Sequence, residues 1–170
     1  MRFGWAVWIT GLPASGKSTV ARGLAAAIEA MEVSVQVLES DALRKVLTPR
    51  PTYTAEERET FYNALIHIGT LLASNGVNVI FDATAHRRRW REQARETFPR
   101  FLEVLVDTPL EVCAERDPKG IYRKAETGEA KTVPGKQLAF EAPASPEVRV
   151  DGASSLERSV NAVLEAMRSH

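Results

Sequence analysis

The stretch Gly-Leu-Pro-Ala-Ser-Gly-Lys-Ser-Thr at residues 11–19 constrains this chain more than any other part of it. It satisfies the pattern Gly-x-x-x-x-Gly-Lys-Ser, with Gly11, Gly16, Lys17 and Ser18 at the fixed positions. The context fits as well. An apolar run of strand length, residues 3–10, leads in, and Val20, Leu24, Ala27, Ile28 and Met31 recur behind it at helical spacing. In such a strand, loop and helix, glycines let successive N–H groups turn inward onto a phosphate, reinforced by the positive end of the helix dipole. Gly11, Ala14, Ser15, Gly16, Lys17, Ser18 and Thr19 are therefore the expected ATP-binding residues. Lys17 is expected to reach the β- and γ-phosphates, and Ser18 to ligate Mg²⁺.

Further strands are expected at 33–39, 77–83, 101–107 and, short, at 148–151, with helical patterns between them and a closing helix capped by Ser154 or Ser155. Alternation of strand and helix implies a mostly parallel five-stranded sheet covered on both faces, an α/β chain. Residues 117–146 break the pattern, being rich in proline, glycine and charge, and only 121–129 could hold a short helix. A long segment of this kind in a compact domain is usually functional, and it is expected to act as a mobile lid.

With 170 residues the chain has the size of one domain, 1–170. Lysine and arginine number 22, matching the 22 acidic residues, so no net field draws it to nucleic acid or an anionic membrane, and an anion must be recognised locally. The single cysteine, Cys113, excludes an internal disulfide and suits the cytoplasm. No signal peptide or membrane-spanning run is read at the start or elsewhere.

In open α/β sheets ligands lie at the carboxyl ends of the strands. The second expected strand delivers Asp41 there, with Arg44 one helical turn beyond. Asp41 could orient Mg²⁺-bound water or accept the proton of an attacking hydroxyl, while Asp41 or Ser40 could also simply cap the following helix.

From here the sequence resembles the adenylylsulfate kinase (APS kinase) family. The likeness lies in Val-Asp-Thr-Pro-Leu-Glu-Val-Cys at 106–113, Arg-Asp-Pro-Lys-Gly at 116–120 and Phe-Glu-Ala-Pro at 140–143, besides the loop at 11–19. The resemblance implies a three-layer α/β/α P-loop kinase fold with a lid at about 117–146. It further implies transfer of the γ-phosphate of ATP to the 3′-hydroxyl of adenosine 5′-phosphosulfate, with Mg²⁺ as cofactor and a homodimer as the assembly. Carried onto this chain, it makes Lys17, Asp41 and Arg116 catalytic, and Asp41, Arg44, Tyr53, Arg58, Lys131 and Phe140 acceptor-binding.

Two stretches depart from the family. Thr60-Phe-Tyr-Asn-Ala64 stands where it has a Glu-Asn-Ile-Arg-Arg-like run, and Asp82-Ala-Thr84 follows the third strand where it has a Ser-Phe-Ile-Ser-Pro-like turn. Asp82 suits a hydroxyl acceptor or a Mg²⁺ water, and is counted with the acceptor residues. These departures leave room for a P-loop kinase acting on another small hydroxyl compound or a polynucleotide end, and for a regulatory nucleotide-binding domain without transfer. His86 to Arg91 forms a basic run, expected to be the solvated start of a helix with Arg87 or Arg88 touching an anionic acceptor. Cys113 is expected to pack as a small apolar residue, and His67 to be structural.

Overall fold

The computed structural model describes residues 2–170. Five strands, β1 (Ala6–Thr10), β2 (Val35–Glu39), β3 (Asn78–Asp82), β4 (Phe101–Asp107) and β5 (Val148–Asp151), form one sheet in the order β2-β3-β1-β4-β5. Every pairing is parallel. The helices are α1 (Lys17–Glu29), α2 (Ser40–Leu47), α3 (Ala55–Ser74), α4 (Arg88–Thr97), α5 (Leu110–Arg116), α6 (Ile121–Glu126) and α7 (Leu156–Ser169).

Both faces of the sheet are covered, which is why the central strand β1 is apolar almost without interruption and wholly buried. On one face Trp8, Phe81, Phe61, Leu65 and Trp90 join β1 and β3 to α3 and α4. On the other, Val7, Ile9, Leu24, Ile28, Val104 and Val163 join the sheet to α1 and α7. Helix α3 comes very close to β3 at Gly69, where a Cβ would stand 2.4 Å from the Phe81 ring. A third, smaller core of Cys113, Tyr122 and Val133 holds residues 117–146 against Leu12 and Ala14 of the P-loop. Cys113 thus packs as expected, and burial raises its thiol pKa.

The strand ends move by a few residues. β1 starts at Ala6 rather than residue 3 because the Asn78 side chain, not a strand partner, accepts the Trp5 N–H at 3.1 Å, and the ladder begins with Ala6 opposite Val79. Ser155, rather than Ser154, caps α7, its hydroxyl accepting the Arg158 N–H at 3.2 Å. Neither Ser40 nor Asp41 caps α2: both lie inside the helix, and Glu39 holds the cap position without a side-chain bond. Asp41 is therefore free for other partners. His67 faces solvent on α3. Among the described residues no helix is long and apolar enough to cross a membrane.

Candidate active site

The P-loop joins the central strand to α1. Gly16 occupies the cap position of α1 with φ 98°, a left-handed conformation that disfavours a side chain, and Ala14 is held at φ 62°. At Gly11 space is the constraint: a Cβ would stand 2.6 Å from Ser15 Oγ and 2.7 Å from the Val106 carbonyl. Ser15 is buried inside the loop, and its carbonyl accepts the Thr108 hydroxyl at 2.8 Å, tying the loop to the end of β4. No acidic residue lies in the first turn of α1, so the positive end of its dipole stays unopposed.

A cleft of about 450 Å³ opens over this loop, lined by Lys17, Ser18, Thr19, Asp41, Arg116 and Lys119 among others. A recess of about 210 Å³ continues past Arg116 between Thr19, Val150 and Gly152. Arg116 bridges the two, donating to the Gly152 carbonyl at 3.2 Å and standing 3.5 Å from that of Ser15. Burial pulls the Lys17 pKa down, against the pull of Asp82 and Asp41. Desolvation would raise the Asp41 carboxyl, but its bond to Lys119, from the 117–146 segment, holds it below the usual carboxylate range. Burial raises Asp82, opposed by Lys17 and the Ser18 hydroxyl.

No three His, Cys, Asp or Glu side chains among the described residues form a metal cage. Mg²⁺ does not need one: it keeps several waters and is held by one or two carboxylates together with substrate phosphates. Ser18 and the buried Asp82 carboxylate, whose Oδ1 has no partner, fit that kind of site.

Beyond Asp41 a second cluster gathers. The Arg44 guanidinium lies 3.9 Å above the centroid of Phe61 and within 6 Å of Tyr53 and Tyr62, with one nitrogen buried and unpartnered. Tyr53 sits at φ 54°, fixed because Glu57 accepts its N–H at 2.7 Å and that of Thr52. The Thr54 hydroxyl in turn accepts the Glu57 N–H at 3.2 Å. Thr54-Ala-Glu-Glu57 has the capping-box sequence, but the Glu57 carboxylate reaches past the N-cap to the N–H groups of Thr52 and Tyr53, holding the start of α3 and setting Tyr53 in place, a pattern present in the sequence but absent from the expectations above. Arg58 ties Tyr53 to the 117–146 segment, donating to the Tyr53 carbonyl at 3.2 Å and the Thr132 carbonyl at 2.8 Å. Exposed Lys131 adjoins Thr132, and Phe140 is half-buried 5.7 Å from the Arg91 guanidinium. Of the expected acceptor residues, Arg44, Tyr53 and Arg58 come together, while Phe140 lies against Arg91, and Asp41 and Asp82 stand at the P-loop end.

The departure at 60–64 acquires a physical meaning. Phe61 and Tyr62 form an aromatic floor: Phe61 underlies Arg44, and Tyr62 stacks on Trp90 at 4.3 Å while its hydroxyl accepts the Ala85 N–H at 3.1 Å.

The basic run corrects the expectation of a solvated helix start. His86, Trp90 and Arg91 are buried. Arg91 donates to Glu103 at 2.6 Å and to the carbonyls of Ala85 and Glu141, and Arg88 donates to the Ala142 carbonyl at 2.9 Å. These cations clamp residues 141–142 to β4, a role hidden in the sequence because their partners lie far along the chain. Burial, then the charges of Arg58 and Arg87, lower the His86 pKa to about 4, and its Nδ1 has no partner.

Fold and site together define a P-loop phosphotransferase, with a phosphate cradle on the central strand and a separate, cation-lined cluster beside it. The family model described as adenylylsulphate kinase matches residues 3–151. A probable adenylyl-sulfate kinase of Pyrococcus abyssi is 40% identical over 148 residues, covering 87% of this chain and 85% of its own length. The adenylyl-sulfate kinase of a Synechococcus strain is 35% identical over 99% of this chain and 97% of its own length. The Mycobacterium tuberculosis APS kinase CysC, solved in complex with AMPPNP and APS, superposes with a TM-score of 0.92 at 32% identity over 99% of both chains. The chain belongs to the adenylylsulfate kinase family, and it is an ATP-dependent phosphotransferase. These comparisons do not favour a polyol or polynucleotide kinase, or a regulatory domain without transfer.

Proposed function

We infer that the protein transfers the γ-phosphate of ATP to the 3′-hydroxyl of adenosine 5′-phosphosulfate. The observation that carries this reading is the position of Asp41: it lines the P-loop cleft, while Arg44, on the same helix, stands in the aromatic and guanidinium cluster. A carboxylate at that boundary can take the proton of a hydroxyl presented to the terminal phosphate.

In this reading the P-loop amides and Lys17 hold the donor phosphates, and the recess beyond Arg116 takes the adenine of ATP. Bound Mg²⁺, ligated by Ser18, neutralises charge on the β- and γ-phosphates. Arg116 offsets charge that builds in transfer. On the acceptor side Arg44, Arg58 and Lys131 suit the phosphosulfate, and Tyr53 and Phe140 offer aromatic faces to the adenine. Residues 117–146 serve as a lid on a single domain spanning 1–170, and closure excludes the water that would otherwise hydrolyse ATP. Action in the cytoplasm, as a homodimer, completes the reading. It draws on the family resemblance and on the lone buried Cys113.

The test is to incubate the protein with ATP, Mg²⁺ and adenosine 5′-phosphosulfate and follow both ADP and the 3′-phosphorylated product. Turnover in the range of about 1–100 s⁻¹ is expected. ADP release that does not depend on the acceptor, or turnover only with another hydroxyl compound, would overturn the reading. Sedimentation of the purified chain tests the homodimer.

A further inference from the structure

Three carboxylates stand at the carboxyl edge of β2 and β3: Glu39, Asp41 and Asp82. Glu39 and Asp82 face each other in the parallel register, and on its other side Asp82 pairs with Ile9, two residues ahead of the P-loop. What neutralises them differs. Glu39 has Arg22 at 3.8 Å, and Asp41 is bonded to Lys119. Asp82 is only 2% exposed and its Oδ1 has no hydrogen-bond partner. A buried carboxylate oxygen left without a donor is costly and calls for a ligand that supplies one. The groups that act on Asp82 are Lys17, Ser18, Glu39 and Asp41, none of them from the aromatic and guanidinium cluster.

We propose that Asp82 is the metal-orienting carboxylate of this site, its free oxygen accepting from a water on the Mg²⁺ that Ser18 ligates. Asp41 is then left to the acceptor hydroxyl. This divides the two acids between donor and acceptor, and places Asp82 on the donor side rather than among acceptor contacts. The resemblance supplies no carboxylate at this point of the third strand. Small oxygen-rich metal sites of this kind are completed by second-sphere carboxylates that fix the waters.

The inference rests on the P-loop as an ATP site and not on the identity of the acceptor. Its test is calorimetric titration of the full chain with AMPPNP, in Mg²⁺ and in EDTA, for wild type and Asp82→Asn. In wild type, Mg²⁺ is expected to tighten AMPPNP binding. In Asp82→Asn that gain should shrink about tenfold or more, within the range for loss of an outer-shell metal partner, with metal-free binding no weaker. Electron paramagnetic resonance of Mn²⁺ in the AMPPNP complex should show the same loss of metal affinity. Asp82→Ser supplies both readouts if the amide variant does not fold. Unchanged metal dependence in the variants, or a loss confined to adenosine 5′-phosphosulfate binding in the presence of ADP, overturns the proposal. Failure of wild type to bind AMPPNP at all would instead remove the ATP-site reading on which it stands.

Discussion

The Arg44 guanidinium carbon lies 3.9 Å from the centroid of the Phe61 ring, at the point where the family resemblance leads one to expect polar and cationic residues. The ring offers the guanidinium a cation–π contact, and one buried Arg44 nitrogen has no hydrogen-bond partner. Phe61→Leu keeps the volume but removes the π face. A contact of this kind contributes about 0.5–2 kcal/mol, so KM for the acceptor should rise about 2- to 30-fold with kcat little changed. Steady-state kinetics against acceptor concentration check this, and an unchanged KM would show that Arg44 needs no ring beneath it.

Lys17 makes no bond that the fold depends on. Lys17→Ala should therefore leave the circular dichroism spectrum and melting temperature near those of wild type while lowering kcat at least about 100-fold, the scale for removing one donor from a site of developing charge.

Asp41 is held below the usual carboxylate range by Lys119, against the desolvation that would raise it. A depressed pKa keeps the proton-accepting form available at lower pH. Lys119→Met should shift the acid limb of the kcat profile to higher pH, and Asp41→Asn should lower kcat about 10²- to 10⁴-fold across the profile. An acid limb that stays in place when Lys119 is removed would assign that limb to another group.

His86 is buried and unprotonated, with its pKa lowered to about 4 from an ordinary 6.5. Between these values the unfolded chain binds a proton that the folded chain refuses. The associated stability is present in full above the upper value and is lost as pH falls through the window toward the lower one. The loss amounts to about 3 kcal/mol at most. Urea unfolding at a series of pH values, for wild type and His86→Phe, should give a steeper decline for wild type between these two pH values.

Arg91 and Glu103 form a buried pair at 2.6 Å, their side chains 0% and 9% exposed. Arg91→Ala leaves the Glu103 carboxylate with Arg95 alone, at 3.5 Å, and frees the carbonyls of Ala85 and Glu141. It should cost about 3–5 kcal/mol, seen as a lower urea midpoint with the slope retained. Glu103→Gln, which keeps one acceptor, should cost less.

The sheet and the nucleotide grip were legible because each rests on local patterning: apolar runs of strand length, and glycines whose spacing leaves one backbone path. The run from His86 to Arg91 was not. Consecutive cations read as solvent-facing, and only the fold brings Glu103 and the carbonyl of Glu141 to Arg91. Strand starts were blurred for a similar reason, since Asn78, far along the chain, takes the N–H of Trp5 and ends the ladder. Lys119 lay inside a stretch that carried the resemblance, yet its bond to Asp41 joins residues 78 positions apart. The capping box at Thr54 and Glu57 is a purely local signal and was open to reading.

The order β2-β3-β1-β4-β5 sets the P-loop on the middle strand and the aromatic and guanidinium cluster on helices that follow β2, to one side. On the function proposed above, phosphate chemistry and this part of acceptor choice sit on separate pieces of chain, which mutation can alter one at a time. A lineage can rewrite residues 60–64 and test a new floor for its acceptor without disturbing a single amide of the loop that performs transfer.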